Sequence, residues 1–113
     1  MGLRPALVGA SLLLVSSILP GCTGDVRVPA PAQEVVAAAK AEVGARTGAP
    51  EAQIAVIRVE EVAWGDASLG CPQPGETYAQ VITSGYRIIL SYKGKEYVYH
   101  SDQQGRVILC VER

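Results

Sequence analysis

The chain has 113 residues and a formal net charge of −1, and this length leaves room for at most one globular domain. The near-neutral charge provides no basic footprint, so we expect no nucleic-acid partner. No apolar run beyond the N-terminal one approaches the length of a transmembrane helix.

The N-terminus has the pattern of an export signal. Arg4 carries a positive charge, and an apolar stretch of about 15 residues follows it, which is too short to span a bilayer as a helix. The end of this stretch, Leu19-Pro20-Gly21-Cys22, resembles the bacterial lipobox, although Pro20 departs from the usual pattern. We therefore predict a lipoprotein signal peptide over residues 1–21, with Cys22 as the lipidated N-terminus. The alternative is an ordinary secretory signal with Cys22 incidental.

A lipidated Cys22 implies an extracytoplasmic protein, anchored to a membrane of the bacterial cell envelope. Removal of residues 1–21 takes away one arginine and changes the net charge from −1 to −2. Residues 22–32 contain Pro29 and Pro31, which favour extended backbone, so this segment is predicted to be a tether. The remaining residues, 33–113, are predicted to form a single α+β domain.

The three cysteines indicate one disulfide. If lipid occupies Cys22, then Cys71 and Cys110 remain as an even pair in an oxidising compartment. A bridge across about 40 residues could stabilise the fold by roughly 4 kcal/mol. The alternative is two buried free thiols.

Residues 33–47 have the pattern of a helix. Alanines are frequent, and Val35, Val36, Ala39 and Val43 fall on one face at the helical period. Gly48 is suited to end the helix.

The rest of the chain has the patterns of strands and turns. Alternating side chains predict strands at about 54–64, 86–92, 96–100 and 107–111. Glu60-Glu61 breaks the alternation of the first strand and suggests a bulge there. Lys93-Gly94 and residues 102–105 predict tight turns, and residues 80–83 could extend the central hairpin.

Together these elements predict an α+β fold in which one N-terminal helix packs on an antiparallel sheet of about four strands. The layout is analogous to those of cystatins and PepSY-like propeptides, by topology alone. In the last strand, alternation places Val107, Leu109 and Val111 on one face. Four tyrosines are more typical of sheet packing than of a ligand platform: Tyr86, Tyr92, Tyr97 and Tyr99.

The segment between the first two predicted strands is a Gly/Pro-rich loop with Cys71 near its middle. Its candidate binding residues are large rings, hydrogen-bonding side chains, one leucine and two prolines: Trp64, Asp66, Ser68, Leu69, Pro72, Pro74 and Tyr78. A disulfide would hold this loop rigid as a recognition surface. Alternatively, Trp64, Leu69 and Tyr78 simply close one end of the core.

The loop pattern W-x-D-x-S-L-G-C-P-x-P-G-x-x-Y-A-Q-V resembles that of a group of small bacterial secreted proteins and lipoproteins. The resemblance extends over about residues 56–111 and includes the late cysteine. The group has no established activity, so the resemblance implies a family without implying a mechanism.

No motif indicates an enzyme, a cofactor or a metal centre. His100, the only histidine, could be half of an acid–base or metal site with Asp102, but a structural or solvated histidine at a strand end is more typical. Glu60, Glu61 and Asp66 lack the spacing of a calcium loop.

The sequence therefore predicts a non-enzymatic, lipid-anchored domain that binds a protein or peptide through its Gly/Pro loop. One alternative is an inhibitor of an envelope protease, although Gln80-Val81-Ile82-Thr83-Ser84-Gly85 does not have the spacing of the cystatin Q-x-V-x-G hairpin. Another is a passive accessory lipoprotein of the envelope.

Overall fold

A computed structural model of the chain describes residues 26–113. The helix α1 (Gln33–Thr47) is followed by four strands, β1 (Ala55–Trp64), β2 (Thr83–Tyr92), β3 (Lys95–Asp102) and β4 (Val107–Glu112). Consecutive strands pair antiparallel, in the order β1-β2-β3-β4. The predicted α+β fold is confirmed. Within residues 26–113, none of the helices has the length and apolar character needed to cross a membrane.

Helix α1 ends where the sequence predicts. Gly48 adopts a φ of 79°, which glycine reaches without steric cost, and its amide donates to the carbonyl of Gly44 at 2.8 Å. Thr47 donates its hydroxyl to the carbonyl of Val43 at 2.7 Å and accepts from the amide of Ala49. The backbone groups at the helix end are thus partly satisfied before the chain turns back towards β1.

The main core lies between α1 and one face of the sheet. The helix contributes the four residues of the predicted apolar face, Val35, Val36, Ala39 and Val43. Their small side chains allow the helix backbone to approach the sheet closely. The strands contribute larger side chains, which are Tyr86, Ile88 and Leu90 of β2 and Tyr97 and Tyr99 of β3. Three of the four tyrosines are therefore buried packing residues, and Tyr92 packs beside them half-buried.

Two residues of the predicted tether pack on the domain. Ala32 is fully buried, and Val28 packs half-buried against the main core. A short 3-10 turn, Ala30–Ala32, connects them to α1. Residues 28–32 were expected in the tether, but Val28 and Ala32 find apolar partners on the domain and hold this segment against it.

Each edge strand contains a bulge, and neither bulge lies where the sequence predicts. In β1 the extra residue is Ile57, between the pairs Val56–Leu90 and Arg58–Ile89, whereas Glu60 and Glu61 pair regularly with β2. In β4 the extra residue is Cys110, which shifts Val111 onto the face opposite Leu109. The predicted alternation of β4 is therefore wrong after Leu109, because a bulge inserts one unpaired residue and reverses the faces beyond it.

Strands β2 and β3 approach closely at Gly85. A side-chain carbon added there would overlap the backbone carbonyl group of Ser101. Gly85 is itself buried in β2, so surrounding atoms leave little room for adjustment.

We expect Gly85→Ala to destabilise the fold by about 1–3 kcal/mol, because the added methyl group would push β2 and β3 apart. The free energy of unfolding in urea measures this cost. Gly65→Ala is the matched control, since no atom lies within 4 Å of its added carbon and its φ is not positive. Equal stability of the two variants would contradict the steric role of Gly85.

Candidate functional site

The β1–β2 loop (residues 65–82) lies against the face of the sheet opposite α1. Register places Trp64 on this face, because its neighbours Val62 and Glu60 alternate with Glu61 and Val59, which face the core side with Tyr86 and Ile88. Besides Trp64, four side chains are buried on this side of the sheet outside the main core: Ser68, Leu69, Val98 and His100. The loop therefore forms a third layer, with a small core of its own.

Trp64 fixes the start of the loop to the sheet. Its indole nitrogen donates to the backbone carbonyl of Ser101 at 2.9 Å. Its ring stacks on the imidazole of His100, with centroids 4.3 Å apart and planes at 21°. The guanidinium of Arg87 lies 5.7 Å from the indole centroid and also pairs with Glu60 at 3.2 Å. Trp64 thus has a polar partner for its N–H group and aromatic packing for its ring.

His100 connects the sheet to the middle of the loop. Its Nδ1 lies 2.6 Å from the backbone oxygen of Leu69, and because a carbonyl oxygen can only accept, Nδ1 must carry the proton. Burial lowers the pKa of His100, and the nearby charge of Arg87 lowers it further, while the bond to Leu69 opposes both effects. The imidazole therefore remains neutral at neutral pH and serves as a structural hydrogen-bond donor.

Asp102, the predicted acid–base or metal-site partner of His100, makes its hydrogen bonds elsewhere. Asp102 accepts from the backbone amides of Gln104 and Arg106 at 2.8 and 3.0 Å and so organises the β3–β4 turn. Within residues 26–113, no group of three or more His, Cys, Asp or Glu side chains could hold a metal ion. His100 is therefore a structural residue of the loop–sheet contact, and it is buried rather than solvated.

Leu69 and Gly70 form a left-handed pair at the deepest point of the loop. Leu69 has a φ of 60°, which costs a residue with a side chain on the order of 1–2 kcal/mol. Its side chain is fully buried, and burial of a leucine contributes about 1.5–3 kcal/mol, which offsets that cost. At Gly70 an added carbon would lie 2.9 Å from the Trp64 ring, so only glycine allows the chain to pass so close to the indole.

The predicted disulfide between Cys71 and Cys110 is present, with Cα atoms 5.8 Å apart and a sequence separation of 39 residues. It joins the middle of the loop to the bulge of β4. A closed loop of this length stabilises the folded state by roughly 4 kcal/mol in the chain-entropy model. The loop is thus held at three points: Trp64, Leu69 and Cys71.

Beyond Cys71 the loop is exposed but internally bonded. The hydroxyl of Tyr78 accepts from the amide of Gln73 at 2.9 Å, and the amide of Ala67 donates to the carbonyl of Ala79 at 3.0 Å. Arg106 of the β3–β4 turn donates to the carbonyl of Ala67 at 3.0 Å. These bonds fix the outer part of the loop (residues 72–82) relative to its buried part.

Of the seven candidate binding residues, three are buried, Asp66 bonds to one of these, and three lie on the outer part of the loop. Trp64, Ser68 and Leu69 are buried and hold the loop, so their side chains are not available to a partner. Asp66 accepts from the hydroxyl and the amide of Ser68, and these bonds lower its pKa. The remaining candidates lie on the outer part, where Pro72 and Pro74 are exposed and Tyr78 is half-buried.

Sequence reasoning missed the most exposed apolar residues of the loop. Val81 and Ile82 are 55% and 77% exposed. Their pattern was compatible with an extension of the hairpin, but β2 begins only at Thr83, so no strand partner covers them. Two consecutive apolar residues outside any alternating segment were the signal that could have identified them.

Fold and site together define a small α+β domain in which a disulfide-pinned loop forms the third layer. A family model described as a domain of unknown function, DUF8738, matches residues 36–110, from within α1 to Cys110, and the chain belongs to this family. No curated protein and no solved structure matches the chain.

We expect the free energy of unfolding to decrease as the pH falls below about 6.5, the ordinary pKa of histidine. The unfolded chain takes up a proton on His100 first, because the folded state holds the pKa of this residue lower; the decrease ends below the folded pKa. Urea unfolding between pH 7.5 and 5 measures the slope. His100→Gln is the control, since it retains a donor but does not titrate, and its slope should be flatter.

Asp66 and Glu112 do not obscure this window. Their pKa values are lowered from 3.8 and 4.5, respectively, by hydrogen bonds to Ser68 and Lys95, so the stability they contribute is lost only at more acidic pH. If the free energy of unfolding of the wild type stays constant or rises as the pH is lowered from 7.5 to 5, the role assigned to His100 is wrong.

Proposed function

We propose that the protein is a lipid-anchored, extracytoplasmic, non-enzymatic domain that binds a protein or peptide through the outer part of the β1–β2 loop. The observation that carries this proposal is the exposure of Val81 and Ile82 on a loop that is otherwise firmly held. Exposed apolar side chains on a fixed backbone bind a partner with little further loss of conformational entropy. Neighbouring apolar residues that a small domain leaves in water are typical of interaction sites.

A non-enzymatic role is supported by the structural bonds that the reactive side chains make. The thiols of Cys71 and Cys110 are joined, and His100 donates its Nδ1 proton to Leu69. Burial, together with the nearby carboxylate of Glu42, raises the pKa of Tyr99 to about 12, so this hydroxyl stays protonated beneath α1. The disulfide and the His100–Leu69 bond are structural, and the ring of Tyr99 packs in the main core.

One observation favours the second candidate, inhibition of an envelope protease. Residues 72–77 are exposed throughout, and the disulfide at Cys71 holds their start to the sheet. Segments of this kind suit a protease cleft because they are already ordered before binding. An inhibitor differs from a simple binding domain in one respect, since its partner would lose proteolytic activity in the complex.

The anchor is proposed from the sequence, because residues 1–25, including Cys22, lie outside the described residues. Val28 is the first residue packed on the domain core. The chain between Cys22 and Val28 can span at most about 20 Å when fully extended. With a lipid at Cys22, the loop would therefore meet partners at or near the membrane surface.

We expect the protein to incorporate a labelled fatty acid when it is made in a bacterial host, and Cys22→Ser to abolish the label. Two or three acyl chains anchor a protein stably, because each buried CH₂ contributes about 0.8 kcal/mol. Mass spectrometry of the purified protein should find an acylated Cys22 at the N-terminus. An unlabelled wild type, or a mature N-terminus at another residue, would refute the anchor.

We expect the double substitution Val81→Ser and Ile82→Ser to abolish capture of the partner from cells that naturally make the chain. Loss of two central apolar contacts should weaken binding by about 2 kcal/mol or more, roughly 30-fold. Crosslinking followed by affinity purification measures capture. Val111→Ser is the matched control, since Val111 is apolar and 41% exposed but lies on β4.

Both variants should unfold at the wild-type temperature, because the substituted side chains are exposed. Equal capture by the loop variant and the wild type would disprove the proposed surface. Capture of a protease that is inactive in the complex would favour the inhibitor. If nothing is captured by the wild type, the passive accessory role is the better description.

A further inference from the structure

We propose that the cavity at the end of β1 and β2 is a binding site for a lysine or arginine side chain of the partner. This inference rests on the proposed binding function, and it identifies the chemical class of the ligand. The cavity has a volume of about 300 Å³, which is enough for one long side chain. Its lining residues come from β1, β2 and the β3–β4 turn: Glu61, Val62, Ala63, Ser84, Gly85 and Gln103.

The cavity lies beside the exposed apolar pair of the loop. Ala63 pairs with Ser84 across β1 and β2, and the next pair outward is Trp64 with Thr83. Ile82 directly precedes Thr83, so it is two residues from the cavity wall along the chain. A peptide that places an apolar side chain on Ile82 could therefore place a neighbouring side chain in the cavity.

Glu61 is the only charged residue in the cavity lining, and its charge is not neutralised. Each of the other three strand glutamates has a cationic partner within 3.2 Å: Glu60 with Arg87, Glu96 with Arg113 and Glu112 with Lys95. Within residues 26–113, Glu61 makes no salt bridge. A carboxylate with free acceptor positions is the natural partner for an ammonium or guanidinium group.

The other lining groups complement the rest of such a side chain. Ala63 lies on the same face of β1 as Glu61 and provides apolar surface for the methylene stem of lysine or arginine, which prefers apolar contact while its head remains polar. Ser84 and Gln103 carry oxygen acceptors for the N–H groups that Glu61 leaves unbound.

The charge distribution around the cavity favours a cationic ligand. Residues 59–86 contain four carboxylates, at Glu60, Glu61, Asp66 and Glu76, and no lysine, arginine or histidine. Arg58 and Arg87 pair with Glu60, and Arg106 contacts the loop at the carbonyl of Ala67, which leaves Glu61 as the unpaired charge in the cavity lining. An unpaired carboxylate at this position attracts a basic side chain of a peptide.

Glu61 could instead serve only to protect the sheet. A charge on the inward face of an edge strand discourages pairing with another chain, and β1 is an edge strand. This role requires a charge but no bound cation, so a measurement of peptide binding distinguishes it from the proposed site.

The test uses the full chain, purified in detergent, and a fluorescein-labelled pentapeptide with a central arginine between valines. A second peptide replaces arginine by citrulline, which has nearly the same shape but no charge. We expect the arginine peptide to bind at least about tenfold more tightly, as measured by fluorescence anisotropy, because its bond to Glu61 is charge-assisted. Glu61→Gln should reduce its affinity to that of the citrulline peptide.

Glu34→Gln is the matched control, because Glu34 is exposed on α1, far along the chain from the cavity, and the same charge is removed. It should leave the affinity unchanged. Equal binding of the two peptides, or full binding by Glu61→Gln, would overturn the site.

This result is separable from that for the proposed function. If Glu61→Gln captures the cellular partner normally and Val81→Ser with Ile82→Ser does not, the cation site is wrong and the binding loop stands. If the arginine peptide binds through Glu61 but wild-type protein captures no partner, the cation site stands and the proposed function is wrong.

Discussion

The contact of Trp64 with His100 and Ser101 ties the long loop to the sheet, and much of the domain is arranged around it. The indole needs both a carbonyl acceptor and an aromatic neighbour, and β3 supplies them at consecutive positions. Two glycines make the contact possible. Gly85 lets β2 lie against the Ser101 backbone, and Gly70 lets the loop pass directly over the indole. A larger residue at Gly85 would push β2 away from β3, and one at Gly70 would push the loop away from the indole.

The consequence is a sheet covered on both faces by a short chain. Helix α1 covers one face with valines and alanines, and the loop covers part of the other with Leu69 and the Trp64–His100 stack. Neither layer is large, which explains why a covalent bridge is useful: small domains bury too little apolar surface to rely on one core alone. The disulfide at Cys71 lies where the buried part of the loop ends and the exposed part begins. The residues before Cys71 thus hold the loop to the sheet, and the residues after it are exposed to solvent.

The sequence was sufficient to predict the elements, because their signals are local. Alanine-rich periodicity ending at Gly48 identified α1, and strict alternation around Lys93-Gly94 identified the central hairpin. The bulges at Ile57 and Cys110 could not be predicted from the sequence. The position of a bulge depends on how two strands pair, and the side chains on either side of it still alternate.

Burial within the loop was also beyond local reasoning. Leu69 is buried where its carbonyl meets His100 of β3, a residue 31 positions further along the chain. The pairing of Cys71 with Cys110 could be inferred because counting cysteines requires no geometry. The exposed pair Val81 and Ile82 was missed for the converse reason: apolar residues beside a strand are ordinarily assigned to it.

The edges of the sheet help to identify which exposed surface is left for a partner. Both edge strands carry a bulge, and β1 also carries the charges of Arg58, Glu60 and Glu61, features that discourage sheet-to-sheet pairing. Such protection matters for a protein proposed to be concentrated on a membrane, where copies meet often. Val81 and Ile82 differ from these edge strands, because they are exposed apolar residues with no charge or bulge beside them. Neither strand pairing nor core packing requires them to be apolar. Their position near an unpaired carboxylate matches the proposed partner, which is both apolar and basic.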